Sequence, residues 1–241
     1  TQTPYLDLGR CGITDLHDLP ELFECTHLET LILSNGWSDL MDNQLFHSDN
    51  MGVENKFFSV PTQIINLKDL KKLIISGDIG WRIGDISFVF GLHKLEYLDF
   101  SYHYMDGIYS LDNLKSLQYL RLYSVKSADF SFVANFTELK ALCVSNNMIS
   151  DINFLKRLTQ LQSLDLSSNQ ISDIHSLANL TKLQSLHLID NQISDISFLS
   201  YLTGLQSLDL RFNQIKKLPL SVARLGMDIN LEEYKKREGL S

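Results

Sequence analysis

Cysteine is scarce: Cys11, Cys25 and Cys143 are the three in 241 residues. An odd count without a CxxC pair argues against a zinc site and a disulfide framework, and fits a reducing, cytoplasmic setting. Proline (4) and glycine (12) are too few for a collagen-like or low-complexity chain. Basic residues, 21 against 29 acidic, leave a net charge of -8, which disfavours phosphate backbones and anionic lipid as partners. No charge-free apolar run reaches the length needed to span a membrane. The seven histidines form no HExxH or paired metal spacing, and Gly77, Gly80 and Gly84 lead to no Gly-Lys-Ser/Thr, so no cofactor, metal or catalytic set is expected. Thr1 to Pro4 carry neither an initiator Met nor a basic and apolar leader, which reads as a piece excised from a longer protein. What the chain has in abundance is leucine: 43 residues, about twice an average share. With 44% apolar content, it can bury a core.

The leucines are periodic. Leu158-Thr-Gln-Leu-Gln-Ser-Leu-Asp-Leu recurs with small changes from Leu180 and Leu202, at a spacing of 22. The same step backwards reaches Phe136, Leu114 and Leu92; steps of 25 and 42 reach Leu67 and Cys25, and a truncated unit ends at Glu24. That makes nine repeats, with a tenth partial strand around Met227 to Leu231. Within each, pairs such as Leu164-x-Leu166 alternate with period two and predict a short strand with both leucines on one face. One such unit cannot bury its leucines alone. Stacked units share a core, and their strands line up in parallel about 4.8 Å apart.

The pattern L-x-x-L-x-x-L-x-L-x-x-N-x-I-x-x-I-x-x-L resembles the leucine-rich repeat family over nearly the whole chain. The resemblance implies one domain over residues 1–241, an α/β solenoid or horseshoe, with a parallel β-sheet on the concave face and short 3-10 or irregular segments on the convex face. Asn147, Asn169, Asn191 and Asn213 stand where the chain leaves the strand, and a column of amides there can serve backbone groups of adjacent coils. Earlier repeats carry Cys11, Gly36, Asp78, His103 and Val125 instead, which predicts less regular turning. Asp15, Asp85, Asp129, Asp151, Asp173 and Asp195 precede the return path and are expected to cap short convex helices rather than to bind metal.

Function is sought where the repeat breaks. Repeat two carries an insertion at about 37–56, and repeat three has three extra residues within 77–82. Trp37 and Trp81, the two tryptophans, lie in these loops, which leave from the same end of the strand. The longer loop also holds Leu40, Met41, Leu45, Phe46, Met51 and Val53, consistent with either a mini-core on the rim or a binding lip. On the concave face, Tyr97, Asp99, Tyr102, Tyr119, Arg121 and Tyr123 form an exposed aromatic cluster with an arginine, the composition of an interface hot spot. A second patch comprises His187, Asp190, Asp209, Arg211 and Phe212. Cys143 is expected on the exposed strand face without a partner histidine.

The stretch Leu218-Pro219 through Val222, Leu225-Gly226 and Ile229 resembles the last repeat of leucine-rich domains in bacterial Roco proteins. That implies a regulatory or sensing arm of a larger multidomain GTPase. The 22-residue coils with Ile-Ser-Asp-Ile are also similar to internalin repeats. The expected function is a non-enzymatic protein-interaction module taking a protein or peptide ligand on the concave face, or packing on its own downstream GTPase domain. The alternatives are a structural intramolecular or dimer-packing arm and an internalin-like adhesion or effector domain.

Overall fold

Each period-two leucine pair gives a strand of three residues centred on its first leucine, as Ser163–Asp165 is on Leu164, and the second leucine follows the strand as the chain turns. A computed structural model describes residues 3–40, 44–77, 82–104, 113–224 and 228–230. The chain divides into two units, Thr1–Lys126 and Ser127–Ser241. In the first, β1 (Tyr5–Asp7), β2 (Thr30–Ile32), β5 (Lys72–Ile74), β6 (Tyr97–Asp99) and β7 (Tyr119–Arg121) form a parallel sheet in that order. Register is strict: Leu6, Leu31, Leu73, Leu98 and Leu120 lie side by side. Between β2 and β5 the insertion forms an antiparallel hairpin of β3 (Gly36–Ser38) and β4 (Leu45–His47). The second unit stacks β8 (Ala141–Cys143), β9 (Ser163–Asp165), β10 (Ser185–His187), β11 (Ser207–Asp209) and β12 (Asp228–Asn230), also in parallel. Each unit therefore shows the expected solenoid of coils, with the central strand leucines fully inside except Leu6 at the edge. The strand expected around Met227 to Leu231 is β12.

The return paths are 3-10 turns such as Ser131–Asn135, Asn153–Arg157 and Ser197–Tyr201. All six aspartates act as expected: each accepts from the amide two residues on, at 2.7–2.9 Å. That bond holds the carboxyls of Asp15, Asp129, Asp173 and Asp195 below the usual range. One α-helical turn, α1 (Leu220–Ala223), follows Pro219.

The amide ladder extends further than the repeat pattern predicts. In the second unit, Asn169 Nδ2 donates to Leu166 O and to Val144 O of the preceding coil, and its Oδ1 accepts from Ile149 N. Asn191 and Asn213 repeat this arrangement one and two coils on. In the first unit Asn55 does the same for coil two, donating to Leu33 O (2.9 Å) and Leu8 O (2.7 Å) and accepting from Ile13 N (3.0 Å). The sequence register assigns that place to Gly36; the insertion enters before the ladder residue and carries the asparagine to position 55. His103, read as a departure, is a substitute. Its Nδ1 accepts from Ile83 N (3.0 Å) and its Nε2 donates to Ile75 O (2.6 Å), the two roles an asparagine amide plays.

The residue before the ladder position takes a left-handed conformation in most coils: Arg10, Tyr102, Ser124, Asn146, Ser168, Asp190 and Phe212 have φ of 53–63°. Asn35 and Gly77, at the two broken repeats, do not. In the first unit the column is therefore interrupted at the two coils that carry insertions, and coil five adds a second left-handed residue, Lys126, at φ 60°.

Candidate functional site

In-register stacking makes neighbours of equivalent positions in successive coils, and this decides the fate of the aromatic cluster. Tyr97 pairs with Tyr119 and Asp99 with Arg121 across β6 and β7. The Tyr97 and Tyr119 rings stack with centroids 5.8 Å apart, and the Lys72 ammonium lies 4.3 Å from the Tyr97 ring centre on the other side. Tyr97 is therefore 8% exposed and Asp99 1%, contrary to the exposed positions expected for both. Tyr119, Arg121 and Tyr123 are half-buried, and Tyr102 and Tyr104 are exposed. Tyr102 and Tyr123 meet at 5.0 Å, and the Arg121 guanidinium lies 5.5 Å from the Tyr123 ring centre. One aromatic pair, Tyr97 and Tyr119, thus sits on the strands, and the other, Tyr102 and Tyr123, on the turns that follow them, each with a cation near one ring.

Asp99 lies at the base of this cluster. Its Oδ1 accepts from Ser101 N (3.0 Å) and Ser101 Oγ (2.6 Å), while Arg121 Nε stands 4.0 Å from Oδ2. Burial pushes its carboxyl above the usual range, and Arg121 opposes that rise. Burial likewise raises the Tyr102 phenol, with Tyr123 adding to the effect.

The insertion is folded back on coil one by polar groups, not by an apolar mini-core. Asn35 Oδ1 accepts from Arg10 N and Asn55 N, Asn50 Nδ2 donates to Asp7 O and Gly9 O, and Ser48 Oγ donates to Asp7 Oδ1. The approach is close enough that a Cβ on Gly9 would stand 2.2 Å from Ser34 O, so glycine is required there. Leu40 is buried, but Leu45, Phe46, Met51 and Val53 are exposed, because the asparagines occupy the inner side of the loop. Trp37 stacks on Phe46 across the hairpin, centroids 6.0 Å apart. Met41 and Trp81 lie outside the described residues.

Between the hairpin and the carboxyl ends of the strands is a cleft of about 360 Å³, lined among others by Arg10, Trp37, Leu45, Asp99, Tyr102 and Arg121. Four of the eight residues expected in the first site, Trp37, Asp99, Tyr102 and Arg121, meet in its walls. Arg10 and Asn35 are additions to those walls, and nothing local marked Arg10; Asn55, buried beneath the insertion, was signalled by the motif Asn55-x-Phe57.

The second patch, in the other unit, is organised around an ion pair. Arg211 Nε and Nη2 bind both oxygens of Asp209 at 2.7–3.1 Å, beside an exposed Phe212. His187 Nε2 contacts Ser185 Oγ at 3.0 Å, and its strand neighbours are Asp165 and Asp209. Cys143 is buried, not exposed, with its sulfur beside Ser145 Oγ and Asp165 Oδ2. Among the described residues no three metal-binding side chains converge.

The family described as Leucine Rich repeats (2 copies) matches residues 137–179 and 181–222. No curated protein matches the chain. Among solved structures, internalin C2 of Listeria monocytogenes is 32% identical, with 70% of this chain covering 74% of that one at a TM-score of 0.66. Internalin F of the same organism is 34% identical (94% of this chain, 66% of that one, TM-score 0.73). A leucine-rich repeat protein of Leptospira interrogans is 25% identical (94% and 60%, TM-score 0.71). The chain thus spans about three quarters of the first and under two thirds of the last. No helix among the described residues is long and apolar enough to cross a membrane.

Proposed function

Because the chain belongs to the leucine-rich repeat family, we propose that it is a protein-binding module without catalytic activity of its own, taking a protein or peptide ligand on the sheet face of its first unit. The observation that carries this reading is the cluster of Tyr102, Tyr119, Arg121 and Tyr123, on β7 and the turns that follow β6 and β7, beside the Trp37 hairpin. Aromatic side chains held this way bury large area at little cost in rotamer entropy, and a guanidinium among them supplies directional bonds. Tyr97 and Asp99 support the cluster from beneath. Trp81 belongs to the same proposal as a rim contact, and His187, Arg211 and Phe212 form a weaker second surface.

We take residues 1–241 as a single leucine-rich repeat domain of a larger bacterial protein. The Leu218 to Ile229 stretch supports a regulatory arm of a Roco-like GTPase, with its downstream GTPase domain as a partner. Three free cysteines are compatible with a cytoplasmic setting. The two internalin structures favour a second reading, an internalin-like adhesion or effector domain. Sequence beyond residue 241 discriminates: a phosphate-binding glycine loop ending in Lys-Ser/Thr supports the first. The binding surface is tested by pull-down with wild type and a Tyr119→Ala, Tyr123→Ala double variant of matched thermal stability. Recovery of partner should fall; undiminished recovery would refute the assignment.

A further inference from the structure

The cleft beneath the hairpin contains a cation that no group among the described residues answers. Arg10 stands in the left-handed turn of coil one and lines the cleft. Its backbone amide is held by Asn35, but its side chain makes no hydrogen bond or ion pair among the described residues, and its Nε is buried without a partner. A buried guanidinium nitrogen left in this way costs free energy that an acceptor of matching shape would recover.

The other charges in the cleft narrow the chemistry. Asp99, at the opposite end, is already met by two Ser101 donors and faces Arg121, so a ligand cation placed there would be repelled by the guanidinium. Glu54 and Asp99 both line the cleft, so a dianion such as phosphate would be opposed about twice as strongly as a single carboxylate. Trp37, Leu45 and Tyr102 supply apolar wall. Arg10 and Tyr102 occupy equivalent turn positions three coils apart, roughly 14 Å at about 4.8 Å per coil, the reach of about four residues of extended chain. A volume of about 360 Å³ is at the small end of ligand sites and suits one side chain with its flanking backbone.

We propose that the cleft receives an aspartate or glutamate side chain from an extended partner peptide, its carboxylate docking on Arg10 and its backbone lying along Trp37 and Tyr102. The carboxylate meets the planar guanidinium edge, a pairing that lysine cannot reproduce. This rests on the protein-binding reading above and adds the chemistry that selects the partner.

The test uses the full chain on an array of hexapeptides randomised at their four central positions, each in amidated and free-acid form. Amidated peptides bound by wild type should be enriched in Asp or Glu at one position, and replacement of that residue by Asn or Gln should weaken binding roughly ten- to a hundred-fold. Arg10→Gln should abolish the enrichment, and Arg10→Lys should keep the preference at lower affinity; thermal melts establish that both variants fold. Absence of acidic enrichment, enrichment that survives Arg10→Gln, enrichment confined to free-acid peptides, or no peptide binding at all would each overturn the proposal. The two readings fail separately. Wild-type binding without acidic preference defeats only the Arg10 assignment, whereas undiminished partner recovery by the tyrosine double variant defeats the surface and leaves Arg10 selectivity readable on the array.

Discussion

His103 should make the first unit acid-sensitive in a pH range where the other shifted groups can be cancelled out. Both ring nitrogens are committed: the Ile83 amide can only donate, so Nδ1 must stay unprotonated, and the Ile75 carbonyl can only accept, so Nε2 carries the hydrogen. The ring also packs on Phe100, centroids 4.3 Å apart, and is fully buried. Burial, with Arg82 adding to it, lowers its pKa from 6.5 to about 4. In the unfolded chain the imidazole takes up a proton near pH 6.5; in the folded chain it does so only near 4. Stability is therefore complete above pH 6.5 and is lost progressively as pH falls to 4. Lowering the pKa from 6.5 to about 4, at about 1.36 kcal/mol per pH unit, puts the total at about 3 kcal/mol. The assay is urea denaturation from pH 7.5 to 4, with His103→Asn as the reference. Asparagine offers the same acceptor and donor without titrating, as Asn191 does one unit over. It should cost about 1 kcal/mol at neutral pH through lost packing on Phe100, and should become the more stable form near pH 4. Subtracting the two curves cancels Asp99 and the capping aspartates. Parallel curves for wild type and His103→Asn between pH 6.5 and 4 would refute the reasoning.

Asn55→Ala strands two carbonyls and two amides at the base of the insertion and should cost about 3 kcal/mol, with faster proteolytic cleavage between 44 and 54; a loss no larger than that of an exposed asparagine, such as Asn66→Ala, would contradict the clip. Ser168 holds a left-handed φ of 53° where the neighbouring coil uses Asn146, so Ser168→Asn or Ser168→Gly should raise stability by about 0.5–1 kcal/mol in thermal melts, and a lowered melting temperature would count against strain at this column.

Much of the fold is legible because the repeat is a local code. The strand leucines, the capping aspartates and the four C-terminal ladder asparagines each act within a coil or on the next one, so spacing is enough to assign them. Insertions defeat this register. Asn55 serves coil two although it lies beyond a hairpin, and Gly36 holds the nominal place without the chemistry. The identity of a ladder residue misleads too: an imidazole does the work of an amide at position 103 because donor and acceptor geometry, not residue name, satisfies the backbone.

Leucine spacing alone settled the number of coils, the buried set and the positions left free on the sheet face. It could not settle which free positions stay accessible, since that depends on the size of the residue one coil away. Tyr97 and Asp99 are covered because Tyr119 and Arg121 lie beside them at strand separation. Nor could spacing bring Arg10 to the cleft that Asp99 and Arg121 also line. Parallel stacking sets equivalent turns of distant repeats along one edge, and the asparagine-clipped hairpin closes over that edge, so the cleft arises only when coils one to five pack together.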